Sequence, residues 1–125
     1  MTAIDEAEVL QANEAFYRAF NQKDPAAMEH AWSRADNLGC LHPGWNVLRG
    51  REAVLDSWNG ILANPAQPRI VVGGAEVTLL GDVALVVCRE LVAASPLAAT
   101  NVFVREDGAW KLLHHQSGPV ATSGG

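Results

Sequence analysis

Cysteine, charge and long apolar runs are all scarce in this chain, and each shortage removes a class of function. The two cysteines, Cys40 and Cys88, each sit in an apolar strand-like run and have no Cys-x-x-Cys spacing. They read as buried, reduced thiols rather than a disulfide framework. A zinc site joining them to His42 would require their strands to be neighbours, which the spacing does not demand, so no metal is expected. The nine Lys and Arg are dispersed and outnumbered by fourteen Asp and Glu, leaving a formal charge of −5. Nucleic acid, whose phosphates need a basic footprint, is not an expected partner. No apolar stretch approaches the roughly 20 residues of a membrane-spanning helix, and the start, Met-Thr-Ala-Ile-Asp-Glu-Ala-Glu, is acidic where a signal peptide would be basic. A soluble, cytoplasmic protein is expected. Also missing are Gly-x-Gly-x-x-Gly, a phosphate loop, Gly-x-Ser-x-Gly and His-Glu-x-x-His, which argues against nucleotide cofactors and hydrolase triads. No cofactor is expected.

What is present is enough apolar material for one domain spanning residues 1–125. Hydrophobic residues make up 49% of the chain and charged residues only 18%, a balance that favours self-association over a lone monomer. Residues 5–22 carry Val9, Leu10, Ala12, Phe16, Tyr17, Ala19 and Phe20 near helical spacing, with Asp5, Glu6 and Glu8 at the dipole-favoured start. Asp24-Pro25 reads as an N-cap followed by proline at the first position of a short helix through Met28 to Trp32. Leu38 to His42 is a short strand stopped by Pro43-Gly44, and Trp45 to Leu48 reads as a loop. A third helix, with Val54, Leu55, Trp58, Ile61 and Leu62 on its apolar face, ends before Pro65 and Pro68. Strands follow at 70–80, 83–93, 97–105 and 109–119, with a looser link at Ala94-Ser95-Pro96. The order predicts an α+β fold, three helices gathered on one side of a curved, mainly antiparallel sheet. Val83 to Cys88 is apolar at every position. Such a strand needs cover on both faces, so a second subunit is expected on the face that the helices leave bare. The small, polar tail from Ala121 to Gly125 is expected to fray.

The final hairpin, Thr-Asn-Val-Phe-Val-Arg-Glu-Asp-Gly-Ala-Trp-Lys-Leu-Leu-His-His-Gln-Ser-Gly-Pro at 100–119, turns at Asp107-Gly108 and ends in consecutive polar side chains. With Ala-Phe-Asn-Gln-Lys-Asp at 19–24, Leu-Arg-Gly-Arg-Glu-Ala-Val at 48–54 and Arg89 in mid-strand, it resembles the nuclear transport factor 2-like superfamily. Within that superfamily it is most similar to SnoaL-like domains and to the association domain of calcium/calmodulin-dependent protein kinase II. The resemblance implies a cone-shaped, cystatin-like fold with a pocket between the concave sheet and the helices, and dimerisation through the other sheet face. It leaves chemistry open, because the superfamily hosts isomerases, dehydratases, cyclases and assembly modules.

Alternation groups Trp110, Leu112, His114 and Gln116 on one face of the last strand and Lys111, Leu113, His115 and Ser117 on the other, unless a bulge changes the register. Only one of His114 and His115 can then serve a pocket. A pocket histidine could move a proton on an apolar carbonyl substrate, while its neighbour packs elsewhere. His42, at a strand end, is a third candidate, or it caps its turn. Asn101 could orient a ligand or make a cross-strand hydrogen bond. Arg89 could receive a carboxylate, as the kinase association domain's similar position implies, or pair with adjacent-strand Glu76 or with Glu90 of the partner subunit. Tyr17, Trp32, Trp45 and Trp58 could line a pocket for a flat, apolar or aromatic ligand, with Trp45 as lid, although Trp58 and Trp110 also suit a core. Gln116 completes the binding set. His30 reads as surface. No strand carries an isolated carboxylate in a clearly apolar setting; Glu76 and Glu90 come nearest. The sequence therefore supports two functions: a cofactor-free isomerase-, dehydratase- or cyclase-like enzyme, and a homodimeric ligand-binding or assembly module.

Overall fold

The computed structural model describes residues 2–121, so the end of the tail, 122–125, lies outside the described residues. Helices α1 (Thr2–Asn21) and α2 (Pro25–Ala31) precede two short strands, β1 (Gly39–Leu41) and β2 (Leu48–Arg49). Helix α3 (Arg51–Leu62) then leads to β3 (Ile70–Leu80), β4 (Val83–Val92), β5 (Ser95–Glu106) and β6 (Ala109–Pro119). The six strands form one sheet in the order β2-β1-β6-β5-β4-β3. All pairs are antiparallel except β1 with β6. This is the expected α+β architecture, and β2 lies partly within the segment read as a loop.

Sequence chemistry explains the local elements. Asp24 caps α2 by accepting from the Ala27 N–H at 3.1 Å, and Pro25 occupies the first turn, where its missing donor costs nothing. Val9, Phe16, Tyr17 and Phe20 of α1 join Val54, Trp58 and Leu62 of α3 in the core against Val86, Phe103 and Leu112 of the sheet. Phe16 sits at the centre, edge-on to Trp58 at 5.4 Å and to Trp32 at 6.3 Å. Each such fully buried large apolar side chain contributes about 2 kcal/mol by area removed from water. Arg105 fixes the start of α1, bonding Asp5 at 2.8 Å while its guanidinium lies 4.4 Å from the centre of the Trp110 ring.

Two sheet details decide which side chains face the helices. Val102 pairs with His114 and Phe103 with Leu112, so Leu113 is an extra residue on β6. This bulge puts His115 and Ser117 in phase with Trp110 and Leu112, and it moves His114 and Gln116 to the outer face. His114 lies against Gly39 of β1, where an added Cβ would come within 2.6 Å of its ring Nδ1; only glycine allows that approach. The second detail is the β4–β5 link, a tight turn rather than a loose connection. Ala93 and Ala94 both adopt left-handed backbone angles, φ 47° and 69°, and Pro96 lies inside β5 opposite Leu91. Among the described residues, no helix covers the sheet's outer face, which exposes Val71, Leu80, Val87 and Leu91.

Candidate functional site

Between α1, α3 and the inner face of the sheet lies a cavity of about 390 Å³. Phe20, Trp58, Ile61 and Leu97 contribute apolar wall, and three ionisable side chains, His42, Glu90 and His115, also line it. Trp45 sits half-exposed in the loop after β1, its ring 4.7 Å from that of His42, where it forms part of the rim.

Each ionisable group is placed by its strand. β4 alternates so that Ala84, Val86, Cys88 and Glu90 face inward while Val87, Arg89 and Leu91 face outward. Glu90 is therefore buried, 2% exposed, and Arg89 is not. Asn101 of β5 lies opposite His115 of β6, and β1 ends by delivering His42 beside the cavity.

Behind the cavity wall a continuous set of hydrogen bonds joins two of these groups. Tyr17 donates its hydroxyl to Glu90 Oε2 at 2.6 Å and lies 3.4 Å from Cys88 Sγ. Asn101 Nδ2 donates to Asn13 Oδ1 at 2.8 Å and to the Tyr17 oxygen at 3.1 Å. That orientation leaves Asn101 Oδ1 as acceptor for His115 Nδ1, 2.5 Å away. The amide thereby fixes the His115 tautomer: Nδ1 carries the proton and Nε2 keeps its lone pair. His42 is fixed similarly. Ser57 Oγ donates to the Val54 carbonyl at 2.7 Å, so it accepts from His42 Nε2 at 2.9 Å, and the His42 lone pair is on Nδ1.

Burial disfavours the charged form of all three groups. Burial, reinforced by nearby His42 and His114, lowers His115 from 6.5 to about 3. Burial lowers His42 to about 4. Burial raises the Glu90 carboxyl above its ordinary range, while hydrogen bonds from Tyr17 and Ser117 pull the other way. Burial and the Glu90 charge hold the Tyr17 phenol well above its ordinary value, so it remains a donor. Burial likewise pushes Cys40 up to about 12 and raises Cys88, making both inert thiols. The cavity thus offers two imidazole acceptors and one buried carboxyl, with no Lys or Arg among the described residues lining it.

A larger surface depression, about 520 Å³, lies beside α2 and the β5–β6 turn. Arg34 pairs there with Glu106 and Asp107 and Arg51 with Glu29, while Lys111 donates to the His30 carbonyl at 2.8 Å. Among the described residues, no cluster of three or more His, Cys, Asp or Glu could hold a metal ion, and no helix is long and apolar enough to cross a membrane.

The sequence matches the family described as a SnoaL-like domain over residues 9–122. The chain belongs to that family. Among solved structures, this SnoaL-like domain superposes with a TM-score of 0.90 on a Streptomyces avermitilis protein proposed to be a dehydratase of the nuclear transport factor 2-like family. The two are 33% identical, and the match covers 98% of this chain and 100% of that one. A Thiobacillus denitrificans protein proposed to be a calcium/calmodulin-dependent protein kinase type II association domain is 27% identical, with a TM-score of 0.80 over 88% of this chain and 93% of that one. The Arabidopsis thaliana F-box protein SKIP8 is 25% identical over 111 residues, which is 87% of this chain. The SnoaL-like domain spans about half, 48%, of that curated relative's length.

Set against the sequence reading, the SnoaL-like domain brings His42, His115, Trp45 and Trp58 to the cavity. It buries Tyr17 and Asn101 in the hydrogen-bonded layer behind it. Trp32 is core, bridged to Leu112 of β6. Three expectations are corrected. His114 and Gln116 are turned away by the Leu113 bulge. Arg89 faces outward because β4 presents its even-numbered residues to the helices, so it cannot receive a ligand in the cavity. Glu90, named with Glu76 only as the nearest substitute for a strand carboxylate, is buried and lines the cavity. Its signal was a carboxylate between Arg89 and Leu91 in a strand apolar on both faces, which gave no contrast to show which parity was inward.

Proposed function

We propose that this SnoaL-like domain is a cofactor-free acid–base enzyme acting on a small apolar carbonyl compound, with dehydration of a β-hydroxy ketone as its reaction. The observation that carries this reading is the pairing in one cavity of a base fixed as an acceptor, His115 Nε2, with a buried carboxyl, Glu90, whose surroundings favour the acid form. Pairs of titratable groups pushed in opposite directions are how a site assigns acid and base. The relative proposed to be a dehydratase adds support.

In this scheme His115 Nε2 takes the α-proton, and the C–H electron pair forms an enol double bond as Glu90 gives its proton to the carbonyl oxygen. Collapse of the enol returns that proton to Glu90 and expels the β-hydroxyl. The hydroxyl leaves as water with the proton held by His115. The result is an enone and water, with no redox change. Burial makes an isolated imidazolium costly, which is why the ring is a weak base at rest. Proton donation by Glu90 creates the carboxylate that offsets the new positive charge in the same step. Trp45 and Trp58 would hold a flat substrate, and Asn101 acts as a positioning residue.

The experiment is exchange of α-protons of para-hydroxyacetophenone for deuterium, followed by NMR. Exchange above the buffer rate is expected for the native protein, with a loss of about a hundredfold in His115→Asn and in Glu90→Gln, the usual scale of a general acid or base. Native exchange no faster than buffer, or equal rates in all three proteins, overturns the catalytic reading.

A second reading, a homodimeric module, draws on the outer sheet face. Val71, Leu80, Val87 and Leu91 are 63%, 61%, 51% and 44% exposed there. We propose that a second copy covers this face, which leaves the cavity on the opposite side free in either function.

A further inference from the structure

On the outer face of the sheet the strand registers set one cation in a row of small residues. Gly73 of β3 lies opposite Arg89 of β4, Arg89 opposite Ala98 of β5, and Ala98 opposite Gly118 of β6. A Cβ added at Gly73 or Gly118 would meet nothing within 4 Å, so the row is open space around the one long side chain. Leu91 stands on one side of Arg89 along β4 and Val87 on the other, and Glu76 of β3 lies opposite Val87. We propose that Arg89 pairs with Glu76 of the partner subunit, twice about a two-fold axis that passes close to Val87, and that these pairs set the register of the dimer. This rests on the second copy proposed above for the outer face and adds which residues meet there.

The argument starts from two unpaired charges. Arg89 and Glu76 are both exposed, and among the described residues neither takes part in an ion pair within 4 Å. The other strand arginine of the long hairpins, Arg105, is by contrast held by Asp5 and Asp82. Arg89 also stands among apolar neighbours, so any surface that covers Val87 and Leu91 strips water from its guanidinium. A cation desolvated without a partner is costly, and the covering surface must bring a carboxylate.

A second copy supplies that carboxylate by symmetry. In a two-fold dimer the contacts are reciprocal: where one residue meets another, the second meets the first across the axis. The shift of register between Gly73 and Glu76 puts cation and carboxylate on neighbouring strands, one row apart on the same face. A face with this arrangement is complementary to itself about an axis midway between the two charges. Val87, 51% exposed, lies beside that axis and packs against Val87 of the partner subunit. A foreign partner would need both charges of its own at the same spacing. Apolar contact alone lets two sheets slide over one another, whereas the wrong register here sets like charges together, which is strongly disfavoured.

Sedimentation equilibrium of the full chain at micromolar concentrations reads the affinity of the dimer, with circular dichroism to show that each variant is folded. Arg89→Glu and Glu76→Arg each turn two attractions into two repulsions and should each weaken the native dimer by about tenfold or more. An equimolar mixture of these two variants should dimerise again, because each chain then supplies the charge that the other lacks. One chain carrying both substitutions should recover most of the native affinity at an unchanged net charge, which separates a specific pair from general attraction. Lack of rescue in the mixture overturns the proposal, since an ion pair within one chain would be broken in both variants and stay broken when they are mixed. Single variants that dimerise as tightly as the native chain overturn it too. The dimer itself is tested separately. A native dimer that is weakened by Val87→Asp but not by Arg89→Glu keeps the outer-face contact and strikes the ionic register alone, whereas a native monomer removes both.

Discussion

Replacing His115 by Asn removes a titrating ring while keeping an N–H near the position of Nδ1, so Asn101 Oδ1 retains its donor. The folded protein resists protonating this ring until about pH 3, whereas the unfolded chain binds the proton near 6.5. Stability from this group is therefore fully present above pH 6.5 and is lost as pH falls towards 3. At about 1.4 kcal/mol per pH unit, one ring removes roughly 3 kcal/mol by about pH 4.5, and on the order of 5 kcal/mol at the folded value. That is a large share of the roughly 5–15 kcal/mol that holds a domain folded. His42, lowered to about 4, acts in the same direction. Glu90, raised, acts in the opposite one: its contribution is present below its ordinary 4.5 and declines as pH rises through its folded value. Both groups are common to the native chain and His115→Asn, so the difference between their pH curves isolates His115. Urea titrations followed by tryptophan fluorescence at steps from about pH 7 to pH 4.5 should show the native chain losing roughly 3 kcal/mol more than the variant. Curves that stay parallel to within about 0.5 kcal/mol refute a buried, neutral imidazole at this position and, with it, the hydrogen-bond assignment through Asn101.

Two further outcomes test the scaffold. Ala93→Asn combined with Ala94→Gly should stabilise the chain by about 1–2 kcal/mol in chemical denaturation, because those residues tolerate the left-handed backbone angles that alanine adopts here at a cost; a neutral or destabilising result means the turn is not as described. Light scattering at micromolar concentration should give twice the chain mass for the native protein and a shift towards monomer for Val87→Asp, which places a charge on the exposed apolar outer face; a native monomer removes the dimer.

Much of this architecture was legible in order along the chain. The apolar spacing of Val9, Phe16 and Phe20 and of Val54, Trp58 and Leu62 marks helices with one buried face, since a helix must present one stripe to a core. Asp24-Pro25 starts α2 and Asp107-Gly108 turns the last hairpin, because those residues favour the backbone angles required. These are local properties, set by each residue's own conformational preferences. Together with the hairpin's family resemblance, they determined the α+β fold. The cavity was only partly legible. His42, Trp45 and Trp58 were candidates on residue type and position, and they meet there.

Which member of each adjacent pair faces the cavity was decided only by tertiary structure. Alternation along a strand divides residues into two sets, but the set that turns inward depends on hydrogen-bond register with neighbouring strands and on where the helices lie. The Leu113 bulge, set by pairing across β5 and β6, chose His115 over His114. Packing of α1 against the even-numbered face of β4 buried Glu90 beneath Tyr17 and left Arg89 outside, in a strand whose apolar residues on both faces concealed the choice. The sequence by itself determined that a sheet with one helix-covered face would form and that polar groups would reach it. Folding determined that those groups would be a tautomer-locked imidazole and a buried carboxyl, because burial and fixed partners, which set protonation, exist only when distant strands and helices meet.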